Sequence, residues 1–553
     1  MTVKKTTGID ADPLVAQLGA SSRRTSGRYI VGVSSSDRPA LILGAGINGA
    51  ALARELALNG VPVCVVDCAD LAAGATAYSS RLIHGGLRYL EYGEFDLVRE
   101  SLAERNRLLS LAPDYVTPLR LYVPVTNRFG GVGTSIRRFL RWERNSPATP
   151  PARGMWLVKL GLWFYDAYAG TASIDRHRVH RTRDNDVPRV DRAKYRWLCA
   201  YSDAQIRYPE RLVVALLRDA AVAARQSGVP FEVYTYHEAR RDGDRVALTP
   251  LDPLTGQSAG NGLSVDPAAI VNATGAWVDR TLERLEVPSD RLMGGTKGSH
   301  IVSSHQGLRE ALRGRGIYAE ADDGRPVFLL PWGNQTLVGT TDVRFAGDPA
   351  DAVANDEEID YLLATVRDIV PEAPLRRDDI DLHYSGVRPL PYQPNGTPGS
   401  ITRRHQIISH AESPVPFLSL VGGKLTTCRS LAEEVTAQLL KRFHREVERT
   451  SAERPIPALP IAIGDDPAAT GTLWDAARVA IREEWARSIG DLVERRLMLL
   501  YDPGLRQETL EQLAQALVEE GHLAPDRTTE AVAHAAQRLN QHFGKKLAVG
   551  AKA

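Results

Sequence analysis

The sequence predicts an α/β chain in three parts: a parallel-sheet domain, a mixed-sheet domain, and an all-helical C-terminal domain. Three observations carry this. Residues 40–67 spell strand, glycine-rich turn, helix and strand in one continuous unit. Two further apolar stretches, beginning at Ala269 and Phe417, run into glycines at Gly275 and at Gly422 and Gly423. Strand-like segments crowd residues 290–390, and beyond Arg454 the apolar residues keep helical spacing.

In the first unit, Leu41, Ile42 and Leu43 enter Gly44-x-Gly46-x-x-Gly49. Ala50 to Asn59 is rich in Ala and Leu without a β-branched run, which predicts helix, and Gly60 stops it. Val63 to Val66 is a second buried-looking strand and ends in Asp67. Gly44 allows the tight turn, Gly46 leaves room for a pyrophosphate, and Gly49 lets helix and strand pack closely. The helix N-terminus then offers free N–H groups and positive dipole to phosphates. Asp67, eighteen residues after Gly49, stands where a carboxylate accepts from ribose hydroxyls. Such a glycine motif alone is often a surface turn. Strand before, helix after and an acid at the close make it a dinucleotide site.

At 553 residues the chain exceeds what one core can serve, so two or three domains are expected. Contents of 43% apolar and 24% charged residues are those of a soluble globular enzyme. A net charge of +1 excludes the basic footprint of a nucleic-acid binder. Cys64, Cys68, Cys199 and Cys428 are too few and too scattered for a disulfide framework or a zinc site. No metal is expected, and the compartment reads as reducing, the cytoplasm. No apolar run reaches the roughly 20 residues that span a bilayer, and no signal peptide shows. Residues 1–37 are polar and read as a mobile leader; Asp10 and Asp12 weigh against a transit peptide.

Thr76 to Glu91 reads Thr-Ala-Tyr-Ser-Ser-Arg-Leu-Ile-His-Gly-Gly-Leu-Arg-Tyr-Leu-Glu. Ser79 and Ser80 are small hydroxyl donors suited to a pyrophosphate. Gly85 and Gly86 permit close approach to a flat ring, and Arg88 can clamp an oxyanion bidentately. His84 in isolation would be a core histidine; beside two glycines and four residues before an arginine it belongs to a site. This stretch resembles the signature of the FAD-dependent, aerobic-type, quinone-linked glycerol-3-phosphate dehydrogenases. Lys297–Val302, Val327–Trp332, Thr336–Asp342, Tyr384–Leu390 and Gly422–Thr427 resemble further blocks of that family in the same order, so the resemblance runs from about Ala40 to Lys441.

That resemblance implies a Rossmann-type FAD domain of the two-dinucleotide-binding kind, a mixed-sheet substrate domain and a C-terminal all-helical domain. It implies oxidation of sn-glycerol 3-phosphate to dihydroxyacetone phosphate by hydride transfer to a non-covalent FAD, with electrons passed to a membrane quinone. FAD would be held by Gly44, Gly46, Asn48, Gly49, Asp67, Ser79, Ser80, Arg81, Leu82, Gly85, Thr274, Gly275, Gly423, Leu425 and Thr426. By similarity His84, Arg388 and Lys424 are catalytic, with Arg88, Tyr89, His300, Thr340 and Arg403 around the substrate. A phosphate dianion needs several fixed cations, and the C2 hydroxyl needs a base as its hydride leaves; His84 and His300 are the titratable groups in matching positions. A homodimer is expected, at the cytoplasmic membrane surface.

The expected division is a leader (1–37), FAD-binding parts (38–127, 201–285, 384–453), a cap segment (128–200), a substrate sheet (286–383) and a helical domain (454–553). In the cap segment Arg128, Arg137, Arg138, Arg141, Arg144, Arg153 and Lys159 stand against Glu143 and Asp166, and Trp142, Trp156, Trp163 and Phe164 accompany them. Two readings stand: an anionic-membrane contact, or a cap helix beside a solvated loop.

Three residues depart from the family pattern: Asp67 where Glu is usual, Arg81 for Lys, and Cys428 for Tyr. Two rival readings use the same fold, an amine or amino-acid oxidase and a non-catalytic flavin-bound scaffold. An oxygen-reducing glycerophosphate oxidase would need an insert between Thr341 and Tyr384, where there is little room.

Overall fold

The unit at residues 40–67 sits at the centre of a six-stranded sheet in the computed structural model, which describes residues 38–87, 89, 93–126, 155–169, 175–321, 323–395, 401–461 and 472–548. The sheet order is β18 (Gln406–Ser409), β19 (Phe417–Val421), β11 (Ala269–Asn272), β1 (Ala40–Leu43), β2 (Val63–Val66) and β7 (Phe231–Tyr234). All neighbours are parallel except β18 and β19. Every residue of β1, β2, β11 and β19 is buried, as a parallel sheet covered on both faces requires. Helix α1 (Ile47–Leu58) packs between α4 (Pro209–Ser227) and α8 (Cys428–Arg442), so all but one of its residues are buried and it carries no polar stripe. The chain leaves β1 for β2 on one side and returns through β11 on the other. This is a switch point, where ligands bind beyond the strand ends.

The second sheet has ten strands. Eight follow the order β16 (Val343–Arg344), β12 (Thr296–Ser303), β15 (Gln335–Gly339), β14 (Pro326–Trp332), β13 (Gly316–Glu320), β4 (Val116–Val125), β6 (Trp197–Ile206) and β3 (Leu82–Ile83). Strand β17 (Leu382–Arg388) pairs with β12, and β5 (Arg178–Arg181) with β6. The sheet is mixed, since β13 and β4 are parallel while the other neighbours are antiparallel. Helices α6 (Gln306–Leu312) and α7 (Asp356–Ile369) share a core with one face. Helix α7 starts at a full capping box, with Asn355 accepting from Glu358 N and Glu358 accepting from Asn355 N. Helices α2 (Phe95–Leu111) and α3 (Met155–Ala169) lie on the other face. Strands β8 (His237–Asp242), β9 (Arg245–Pro250) and β10 (Leu263–Val265) form a small antiparallel sheet, and α5 (Val278–Arg284) follows β11.

Two expected domain limits fall inside strands. The limit at 200/201 cuts β6 and that at 383/384 cuts β17, and both strands belong to the ten-stranded sheet. Strand β4, placed in the first FAD part, also pairs there. Local composition shows that a strand exists; the partner that assigns it to a domain lies far away in sequence. The C-terminal helices α9 (Leu473–Glu483), α10 (Gln507–Glu519) and α11 (Thr528–Phe543) do form, but they share one core with the ten-stranded sheet rather than standing apart. Between α9 and α10, residues Asp491–Arg496 make a π-helical turn whose charged side chains are buried. Asn272, which matches a glycosylation acceptor by sequence, is fully buried and donates to Val278 O. Among the described residues no helix is long and apolar enough to cross a membrane.

Candidate active site

The three glycine-rich returns meet around one cavity of about 730 Å³. Gly44 has φ +101°, and a Cβ there would lie 2.6 Å from Ala273 O, so the turn between β1 and α1 admits only glycine. Gly49 stands behind the wall: a Cβ would meet Gly44 O at 1.9 Å, which is the close helix–strand contact the motif implies. At the start of α1 the N-cap residue Gly46 has no side chain to cap the helix, and Ile47 N–H donates instead to Thr76 Oγ1 at 3.1 Å. Asp67 accepts from Ala45 N–H (2.7 Å) and Ala69 N–H (2.9 Å), while burial pushes its carboxyl above the usual range. Asn48 and Gly423 approach closely, and Asn48 Oδ1 is buried with no protein partner among the described residues. A cavity of this volume, a helix N-terminus whose N-cap is a glycine and an orphaned amide oxygen are what a bound dinucleotide would complete. The residues present fit FAD.

At the other end of the cavity lie His84, Tyr89, His300, Arg388, Arg403 and Lys424. Lys424 follows β19, and its Nζ sits 4.0 Å from the Tyr89 ring centroid and 3.3 Å from Ser101 Oγ. Burial brings its pKa down to about 7, with Glu94 and Glu100 opposing the shift. The His84 ring also neighbours Tyr89, centroids 6.5 Å apart. Burial holds His84 down at about 4; Asp203 opposes, and Lys424 and Arg105 add to it. His300 on β12 stacks on Tyr384 (4.9 Å) and shares a hydrogen bond with Ser80 Oγ (2.9 Å). Burial, then Arg388 and Arg81, lower its pKa well below the ordinary value. Burial therefore favours the neutral form of both imidazoles.

Arg388, at the end of β17, donates to Asp342 Oδ1 (3.1 Å), Thr340 Oγ1 (2.7 Å) and Thr341 O (3.0 Å). Arg403 approaches the other oxygen of Asp342 at 3.7 Å, and its Nη1 is buried with no protein partner among the described residues. Asp342 thus orients two guanidinium groups toward the same space. Asp342 closes the Thr336–Asp342 block, and its bracing role is visible only in the fold. Its partners Arg388 and Arg403 lie far along the chain, so no local pattern marked it.

Ser79, Ser80, Leu82, Thr274, Gly275, Leu425 and Thr426 also line the cavity. Thr340 meets the guanidinium of Arg388 instead. Gly85 backs onto Leu102, where a Cβ would come within 2.5 Å. The Gly85 N–H is held from behind by Tyr165 OH (3.0 Å) on α3 and by Asp203 on β6, which also accepts from Tyr165 (2.5 Å) and Arg105 (3.0 Å). No local pattern signals this support, because its members come from three distant elements. Arg81 has a different task from the expected cofactor grip. Its guanidinium is fully buried and spent on Glu210, Arg207 O, Ala77 O and Tyr501 OH, which leaves its main chain to face the cavity. A lysine could not form that bidentate fork. Cys428 is buried at the start of α8; nothing in the structure explains why it replaces a tyrosine. Arg88 and most of the basic cap segment, including Arg137, Arg138, Arg141 and Arg144, lie outside the described residues.

A two-sheet chain with its dinucleotide cavity at the switch point, and neutral histidines beside fixed cations, defines a nucleotide-dependent oxidoreductase. The family described as FAD dependent oxidoreductase matches residues 40–429. The chain is 35% identical over 419 residues to a glycerol-3-phosphate dehydrogenase of Synechocystis, covering 73% of this chain and 70% of that one. It is 34% identical to the aerobic glycerol-3-phosphate dehydrogenase of Escherichia coli, covering 72% of each. It is also 33% identical to the D-erythritol 1-phosphate dehydrogenase of Brucella abortus, covering 78% and 80%. Among solved structures, the glycerol-3-phosphate dehydrogenase from Bacillus halodurans complexed with FAD matches with a TM-score of 0.63 at 18% identity, covering 95% and 96%. The chain belongs to the FAD dependent oxidoreductase family, in the branch that holds the glycerol-3-phosphate dehydrogenases. Its cofactor is FAD.

Proposed function

We propose that the chain oxidises sn-glycerol 3-phosphate to dihydroxyacetone phosphate and passes the electrons to a quinone. The observation that carries this is the set of cations at one end of the FAD cavity: Arg388 and Arg403 braced by Asp342, with Lys424 opposite Tyr89. A phosphate dianion neutralises such a cluster; a carboxylate substrate would leave part of it unpaired. FAD supplies the hydride acceptor when bound. The protein supplies the rest. Arg388, Arg403 and Lys424 hold the phosphate, and His84, neutral above about pH 4, accepts the proton of the C2 hydroxyl. His300 is tied to Ser80 and orients that hydroxyl.

The test is anaerobic bleaching of the flavin. Addition of glycerol 3-phosphate should bleach it and glycerol should not; reduction by an amino acid in place of the phosphate ester would overturn the proposal. The relative that acts on D-erythritol 1-phosphate supports a second reading, a longer polyol phosphate held by the same clamp. Faster bleaching by that compound than by glycerol 3-phosphate would select it.

A quinone acceptor places the protein at the cytoplasmic membrane surface. Helix α3 supports this reading: Val158, Leu162 and Tyr165 turn into the core while Trp163 and Tyr168 point outward, 57% and 40% exposed. Each basic residue of the cap segment near an anionic surface contributes about 1 kcal/mol, screened by salt. The protein should sediment with anionic vesicles at low salt, and joint replacement of Arg137, Arg138 and Arg141 by Ser should weaken this while dye-linked activity persists. Unchanged sedimentation would assign the contact elsewhere. A homodimer is proposed too, and the sedimentation coefficient of the holoprotein tests it.

A further inference from the structure

The match to the FAD dependent oxidoreductase family ends at residue 429, which leaves the C-terminal helices without a task. The structure supplies one through the segment 67–81. This segment joins β2 to β3, holds no helix or strand, and yet carries Thr76, Ser79 and Ser80 into the wall of the FAD cavity. Two of its non-glycine residues, Ala72 (φ +59°) and Arg81 (φ +56°), sit in the left-handed region. An irregular segment in that conformation persists only where its surroundings over-determine it.

Part of the surroundings is the nucleotide domain itself, as where Ala72 N–H donates to Ala45 O and Arg81 pairs with Glu210; the rest is C-terminal. Near the start of the segment, Asp70 accepts from Arg495 Nε (2.7 Å) and from both terminal nitrogens of Arg496 (2.9 and 2.7 Å), all buried. Toward its end, Tyr78 accepts from Arg538 Nη2 (3.2 Å) and packs beside His542 and Phe543. Arg538 is itself fixed by a two-bond pair with Glu494 (2.6 and 3.0 Å). At the last residue, Arg81 donates to Tyr501 OH at 2.6 Å. Start, end and exit are thus fastened by residues more than 400 positions away. Glu494, Arg495 and Arg538 also line the cavity themselves.

We infer that the C-terminal helical domain is a cofactor clamp: through Arg495, Arg496, Arg538 and Tyr501 it holds segment 67–81 in the conformation that retains FAD. These residues position; they do not take part in the chemistry. The inference rests on the FAD assignment and is independent of the substrate.

The experiment follows FAD release from the full-length holoprotein by the rise of flavin fluorescence after dilution, with no substrate present. Tyr501→Phe removes only a hydroxyl, and Arg538→Gln removes a partly exposed charge, so the Tyr501 variant yields holoprotein even where the other does not. Each should speed release by roughly tenfold, the order expected for losing one hydrogen bond to a charged group. Arg478→Gln breaks a pair with Glu520 inside the helical domain and touches nothing in the segment, so it should release FAD at the parental rate. Parental release from Tyr501→Phe and Arg538→Gln would overturn the clamp. Equal acceleration by Arg478→Gln would overturn it too, since general loosening of the domain would then explain the effect.

Discussion

At the scale of the residue, the site depends on charges held out of water. Arg388 is braced by Asp342 and Thr340 before any substrate arrives, so its removal strips the anion site of a preset donor. Arg388→Ala should cost about 2–5 kcal/mol in transition-state stabilisation, a fall in kcat/KM of roughly thirtyfold or more, with FAD still bound. Near-parental kinetics would move the phosphate site elsewhere. Lys424 gives the pH dependence. Its pKa in the free protein is about 7 because burial disfavours the ammonium. As pH rises through 7 the ammonium is lost and anion binding weakens, so kcat/KM should fall on the alkaline side. Lys424→Arg keeps its charge over that range and should abolish the alkaline limb. A limb that persists in that variant belongs to another group.

At the scale of the element, helix α3 is more than a surface feature. Leu162 and Tyr165 are buried against the core, and Tyr165 reaches the Gly85 N–H beside His84. The pair Tyr165–Asp203 fixes the main chain that carries the proposed base. Tyr165→Phe keeps the ring and leaves a buried N–H with one poorer partner, a cost of about 1–3 kcal/mol. The expected result is a lower kcat with KM and FAD content near parental, read by steady-state kinetics and flavin absorbance. A loss confined to FAD content would show that the pair supports the cofactor and not His84. The same helix shows how far periodicity reaches. Its apolar and aromatic run was legible, but which face would turn inward was decided by Val98 and Leu102 on α2, which share its core.

At the scale of the whole molecule, the FAD site is assembled from residues 44 to 542 and closed by buried ion pairs between the nucleotide domain and the C-terminal helices. A non-covalent FAD is expected, so acid precipitation should leave a yellow supernatant; flavin retained on the pellet would contradict this. The ion pairs also set an acid limit. Glu494 is held down at about 2 against an ordinary 4.5, with Arg538 and Arg495 overcoming its burial. A carboxylate depressed on folding adds stability above its ordinary pKa, and that stability is lost as pH falls from about 4.5 toward 2. FAD release should accelerate across that window, and Arg538→Gln should shift the onset to higher pH. An unshifted onset would detach the ion pair from cofactor retention.

The sequence by itself determined the strand–turn–helix unit at residues 40–67, both later returns to the cofactor, and the order of the blocks that carry His84, Arg388 and Lys424. These are local facts: a glycine where a Cβ would strike a carbonyl, an apolar run of strand length, a basic residue next to a turn. Tertiary structure alone decided that β6 and β17 belong to the ten-stranded sheet and that Asp342 braces two arginines. It also decided that Arg81 points away from the cavity, into Glu210 and Tyr501. The physical reason is the same in each case. A side chain's partner is set by where distant strands and helices come to rest, and the pairing of Asp70 with Arg496, across 426 positions, leaves no trace in the residues on either side of it.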